Sequence, residues 1–261
     1  MESPSTAVPT PSTTAETAAA TGPSLSPFQR AIAVFTRPTA AWTGLERHAQ
    51  WWFPLIIMIV FAACFSAVLH DRALMPMLSD QWEQAVSDGK MTAQQVDKME
   101  QFMSGPAGKA IAVGQQVIAW PIIMLISALV VWFAAGFVLG TKFKYRLALE
   151  VVAWSSLITL PGQILAGALM WSRETMKGIH TGFGILLPEG DAPGKLMTGL
   201  GIFLDAIGPL SIWYLAVVII GAAALSGAKR KSVVWAIGGL YLVLMIFFSV
   251  LGGMMSKGSG G

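Results

Sequence analysis

Apolar residues in this chain gather into five long runs, all after residue 50, and polar residues crowd into the stretches between them. The runs lie at about 52–69, 117–139, 147–171, 207–226 and 233–254. Each is close to the roughly 20 residues that a helix rising 1.5 Å per residue needs to cross a hydrocarbon core about 30 Å thick. Inside lipid the backbone has no water to bond with, so each run must satisfy its own N–H and C=O groups as a helix. The pattern predicts an all-α integral membrane protein, a five-transmembrane-helix bundle filling 51–256.

A shorter period appears outside the runs. In 25–50, Ser26 before Pro27 reads as an N-cap followed by proline at the first helical position. Phe28, Ile32 and Phe35 recur at helical spacing, with Arg30 and Arg37 off that face. Pro38 stops or kinks the helix, and Trp42 and Leu45 continue an apolar side. Two placements follow: an amphipathic helix lying in the headgroup layer, attracted to anionic lipid or a partner, or a pre-helix packed on the floor of the bundle. Phe28, Phe35, Pro38 and Trp42 are its candidate interfacial residues. The connection 70–116 predicts an outer helical hairpin between spans one and two. Leu78, Trp82 and Val86 form one stripe and Asp88-Gly89 breaks it. Thr92 then caps a second helix with Gln95 as its capping-box partner, and Gly105-Pro106 ends it. The connection 172–206 is rich in Gly and Pro and reads as an irregular loop. Residues 1–24 have too few apolar side chains to offset ordering entropy and are expected to be a disordered cytoplasmic tail.

Charge gives the bundle a direction. The short loops 140–146 and 228–232 carry Lys142, Lys144 and Arg146, then Lys229, Arg230 and Lys231, and no acid. Both follow an even-numbered span, so they share a side with the N-terminal Arg30, Arg37 and Arg47. The acids collect in the long connections on the other side. Short basic loops stay in the cytoplasm. The expected location is therefore the cytoplasmic (inner) membrane, multi-pass, with the N-terminus cytoplasmic and the C-terminus outside.

Composition agrees: 54% of residues are hydrophobic and 12% charged, against roughly 25% charged in a soluble domain. The net charge of +3 follows sidedness and forms no single basic face, so no nucleic acid partner is expected. The one cysteine, Cys64, lies in the first run and reads as a small buried hydrophobe.

Catalytic patterns are missing. His48, His70 and His180 are far apart, and there is no metal-ligand spacing, phosphate-binding loop or nucleophile turn. Neither enzyme activity nor a cofactor is expected. The candidate polar membrane residues are Asp205, Glu150 and Arg146. Glu150 follows Arg146 by four residues, so the two share a helical face and read as an interfacial ion pair with the arginine snorkelling outward; a transport role is the other reading. Asp205 has no obvious intramembrane cation. It lies two turns inside its helix if that begins near Thr198, or at the outer interface if the span begins near Ile207. Its readings are substrate or proton handling, or an interfacial cap. Pro121, Pro161 and Pro209 are expected to interrupt spans two, three and four.

The stretch Phe35 to Pro38 followed by Trp42, the stretch Met99 to Gly108 before span two, Tyr145 to Leu149 leading into Pro161, and Phe203 to Asp205 through Trp213 to Gly221 in span four come in a specific order. In that order they resemble the YIP family (Ypt/Rab-GTPase-interacting membrane proteins), more closely its bacterial branch, over about residues 28–255. The resemblance implies a five-span membrane protein with no catalytic residues. Eukaryotic members associate with small GTPases and one another in early secretory membranes, and genes of bacterial members can lie beside those of export machinery.

The reading that results is a non-enzymatic scaffold or accessory subunit that binds other membrane proteins or lipid, in trafficking or export. Its partners are the lipid bilayer and other membrane proteins, with oligomeric state left open. The alternative is a small transporter or channel using kinked spans and Asp205.

Overall fold

The computed structural model describes residues 25–176, 178–187 and 194–256; the tail 1–24 and its expected disorder lie outside them. Every regular element among the described residues is helical, and five helical stretches are long and apolar enough to cross a membrane. This is an all-α, multi-pass membrane protein.

A short helix α1 (Pro27–Thr36) and a single 3-10 turn (Ala40–Trp42) come first. Span one is α2 (Trp52–Leu69), which widens into a π-turn at His70–Leu74 and continues as α3 (Met75–Ser87). Pro76 supplies a reason for the widening: it has no N–H, and its ring crowds the carbonyl four residues back. Gly89, at φ +68°, reverses the chain into α4 (Ala93–Ser104). Both capping-box bonds of α4 form, with Thr92 N donating to Gln95 Oε1 at 2.9 Å and Gln95 N to Thr92 Oγ1 at 3.3 Å. Pro106 opens α5 (Pro106–Trp132), the helix of span two, well before its apolar run begins. Pro121 stays inside that helix without breaking it.

Span three is the hub. It consists of α6 (Tyr145–Ser156), a 3-10 turn (Leu157–Thr159) and α7 (Leu160–Arg173), with Pro161 in the first turn of α7 where no N–H is needed. Half of its most apolar window is buried, against 22–28% for the other four spans, so the others surround it. Trp154, Val151 and Ile158 pack there with Met58, Ala128, Val217 and Val218. The outward faces remain apolar, with Ile118, Ile122, Ile126, Phe247 and Phe248 all exposed. A soluble monomer rarely carries such a surface.

Two expectations change in the last third of the chain. The connection before span four is not irregular throughout, because α8 (Lys195–Ala206) is a helix; residues 188–193 lie outside the described ones. Gly199 is a contact point instead of a loop residue, since a Cβ on Gly253 of the facing helix would stand 3.1 Å from its Cα. Small residues let two helices approach closely in lipid. The chain then breaks at Ile207 and Gly208, and Pro209 opens α9 (Pro209–Ser226) instead of interrupting it. Span five is α10 (Arg230–Met255). Cys64 also departs from expectation: it is exposed on the outer face of α2. Along a helix that is apolar all round, hydrophobicity does not reveal which side faces protein.

Candidate functional site

The segment 25–50 is tied into the bundle by side chains that the apolar pattern did not single out. Ser26 and Gln29 cap α1 reciprocally, at 3.1 and 3.3 Å. The buried side of α1 is Arg30, Ala33 and Val34, while Phe28, Ile32 and Phe35 are 70%, 51% and 40% exposed. The apolar stripe therefore faces away from the protein. Arg30 is wholly enclosed. Its Nη1 donates to Ala41 O, its Nη2 to Thr43 O at 3.0 Å and its Nε to Gln50 Oε1 at 2.9 Å. The 3-10 turn and its exit present carbonyls that helix bonding leaves free, and a planar guanidinium with five donors can serve several at once. Burial pushes the Arg30 guanidinium below its ordinary range, and the nearby Glu150 charge pulls it back up.

Pro38 follows the last residues of α1, half-buried, and the chain turns there. Trp42 then enters the core, and its indole lies on Gly221 of α9. A Cβ at that glycine would meet ring atoms at 2.7 Å. Only a residue without a side chain leaves room for the ring.

Glu150 sits beneath this turn and is fully buried. It accepts from Gln50 N at 2.7 Å and from Trp154 Nε1 at 3.2 Å. Span one has no cap of its own, because its N-cap residue Trp51 makes no side-chain bond. A carboxylate from span three thus meets an N–H just ahead of the positive end of span one. Arg146 lies 3.6 Å from Glu150 and does not simply reach outward to water: its Nη2 donates to Leu45 O at 3.1 Å and Glu46 O at 2.7 Å. Trp154 completes the joint, stacked on Phe53 at 5.8 Å between centroids with the Arg30 guanidinium 5.8 Å from its ring. Sequence reasoning found Glu150 and Arg146 but missed Arg30 and Gln50 as partners, because those contacts cross 20 and 100 residues of chain.

Asp205 belongs to a separate cluster. It ends α8, and both of its carboxylate oxygens lie 2.9 Å from His180 Nδ1. Gly184 packs so close to the carboxylate that a Cβ would collide with it, and Phe183 N donates to Ile207 O at 2.9 Å. The partner that the sequence reading lacked is therefore a loop histidine, His180. Asp205 and Glu150 are not brought together. A cavity of about 160 Å³ inside the bundle is lined by Ser127, Ser156, Thr159, Gln163 and Tyr214 among others, and by neither acid.

A third cluster ties the first three spans together. Asp71 takes Lys109 at 2.6 Å and His70 at 3.0 Å, while Arg72 pairs with Glu174 at 3.1 Å and covers the Trp171 ring at 4.4 Å. Among the described residues, no group of three or more His, Cys, Asp or Glu could hold a metal ion.

The family model of the Yip1 domain matches residues 32–252. This chain belongs to the Yip1 family. The matched region starts inside α1 and ends in the last turns of α10, so the docked segment and all three polar clusters lie within or at the edge of the Yip1 domain and are not an appendage to it. The family is one of non-enzymatic membrane proteins, and membership fits a trafficking-related role. No curated protein and no solved structure gives a significant match.

Proposed function

We propose that this Yip1-family protein is a non-enzymatic scaffold or accessory subunit of the cytoplasmic membrane, with its N-terminus and basic loops in the cytoplasm and its C-terminus outside. It holds other membrane proteins, and lipid, against a rigid platform formed by segment 25–50. One observation carries this reading: α1 is fixed to the bundle through buried Arg30 while it turns Phe28, Ile32 and Phe35 outward. Burying such a side chain against lipid or a partner is worth roughly 1.5–3 kcal/mol. A fixed ridge loses little conformational freedom on binding, which favours recognition.

Transport through the bundle has less support. The cavity that carries polar side chains inside the bundle is about 160 Å³, below the roughly 300–1,000 Å³ of typical ligand sites. Glu150 and Asp205 are each engaged by protein groups. The test is affinity purification of the full chain in mild detergent, with Phe28→Ser/Phe35→Ser beside the wild type. The expected result is a defined set of membrane proteins retained by the wild type and lost from the variant, with unfolding temperature unchanged. If nothing is retained, and Asp205→Asn abolishes a solute flux in liposomes, the protein is a transporter and the scaffold reading fails.

A further inference from the structure

Beside the docked segment, a cavity of about 590 Å³ opens where residues 46–49, the loop after span two and the end of span four meet. Its wall carries Arg47, Lys142, Lys144 and Arg146, with Glu46 as the one acid. Arg146 is already paired with Glu150 at 3.6 Å, so the other three cations and Glu46 leave a formal +2. Local structure explains the arrangement. In the loop 141–144, exposed Lys142 and Lys144 flank buried Phe143, and Lys144 is in the extended region. Phe143 is buried at 3% exposure and anchors the loop, which turns Lys142 and Lys144 to the same open side. Arg146 is held by the carbonyls of Leu45 and Glu46, and its buried Nη1 makes no hydrogen bond. The side chains of Arg47, Lys142 and Lys144 make no hydrogen bond or ion pair with any described residue.

A fold that gathers unpaired like charges bears their mutual repulsion unless an anion joins them. The volume falls in the range of small-molecule sites. Leu147 and Leu225 add an apolar part to the lining. Basic pockets between membrane helices are suited to phosphate headgroups. We propose that this cavity binds the headgroup of an anionic phospholipid carrying two phosphates. The net +2 of the wall matches a doubly charged headgroup better than a singly charged one. The inference deepens the lipid part of the proposed function and rests on the basic loops lying at a bilayer surface; it does not depend on any protein partner.

The experiment is native mass spectrometry of the full chain in neutral detergent, titrated with cardiolipin, phosphatidylglycerol or phosphatidylcholine, and with glycerol phosphate as a soluble competitor. One cardiolipin is expected to bind saturably, more tightly than phosphatidylglycerol, with no saturable phosphatidylcholine. Lys142→Gln/Lys144→Gln is expected to weaken it roughly tenfold or more. Both lysines are exposed, so unfolding temperature stays unchanged. Arg230→Gln/Lys231→Gln, in the other basic loop and outside the cavity, is expected to change binding by less than about twofold. Equal loss in the two double variants, or equal binding of cardiolipin and phosphatidylcholine, overturns the site. Displacement by glycerol phosphate at concentrations comparable to cardiolipin assigns the cavity to a soluble phosphate and overturns the lipid. Presence or absence of co-purifying proteins leaves these results unchanged, so this inference and the scaffold reading fail separately.

Discussion

Arg30 serves three oxygens from a position that no water reaches, so its loss leaves several buried acceptors without donors. Each such group costs about 1–3 kcal/mol, and removing one member of a buried charge cluster costs about 3–5 kcal/mol in all. Arg30→Met is therefore expected to lower the unfolding temperature in detergent well below that of Arg37→Met, whose side chain is exposed. Arg30→Lys is expected to recover little, because an ammonium cannot reproduce the planar fork. Equal unfolding temperatures for the Met variants at 30 and 37 would contradict the buried joint. Gly221 makes a second prediction at this scale. Gly221→Val drives a side chain into the Trp42 indole at a cost of about 1–3 kcal/mol. The docked segment, not the bundle, is expected to loosen, and limited trypsin digestion at Arg37 and Arg47 should speed up several-fold while cuts elsewhere do not.

Two elements are held by close backbone approach and one loop contact. α8 rests on α10 where a Cβ on Gly253 would stand 2.6 Å from Lys195 O. Gly253→Leu should separate the two helices, with faster hydrogen exchange across Lys195–Ala206 and little change in Pro209–Ser226. His180→Ala should release only 178–187, read as faster exchange at the Phe183 amide. How far these elements could be read from the chain depended on the range of the interactions behind them. The caps at Ser26 with Gln29 and Thr92 with Gln95 span three residues; the N-cap at Ser26 and the whole box at Thr92 were visible in the sequence, while Gln29 was not singled out. The length of each apolar run reported a crossing helix for the same reason. Contacts such as His180 with Asp205, or Glu150 with Gln50, join residues that no local period relates. Sidedness within a span was equally hidden: lipid and protein interior are both apolar, so the pattern around Cys64 looked the same whichever way it faced.

At the scale of the whole molecule, an odd number of crossings joins the parts into one account. In the proposed orientation, segment 25–50 and the cavity of Lys142 and Lys144 lie at one bilayer surface, and α4 and the end of α10 at the other. The scaffold platform and the lipid site both require that arrangement. The most direct test is cysteine labelling in intact cells with a membrane-impermeant maleimide, in a Cys64→Ser background with single cysteines at Lys98, Lys142, Lys231 and Met255. Lys98→Cys and Met255→Cys should label from outside, and Lys142→Cys and Lys231→Cys only after the membrane is opened. Labelling of Lys98→Cys and Lys142→Cys together from the same face would contradict the five-span arrangement.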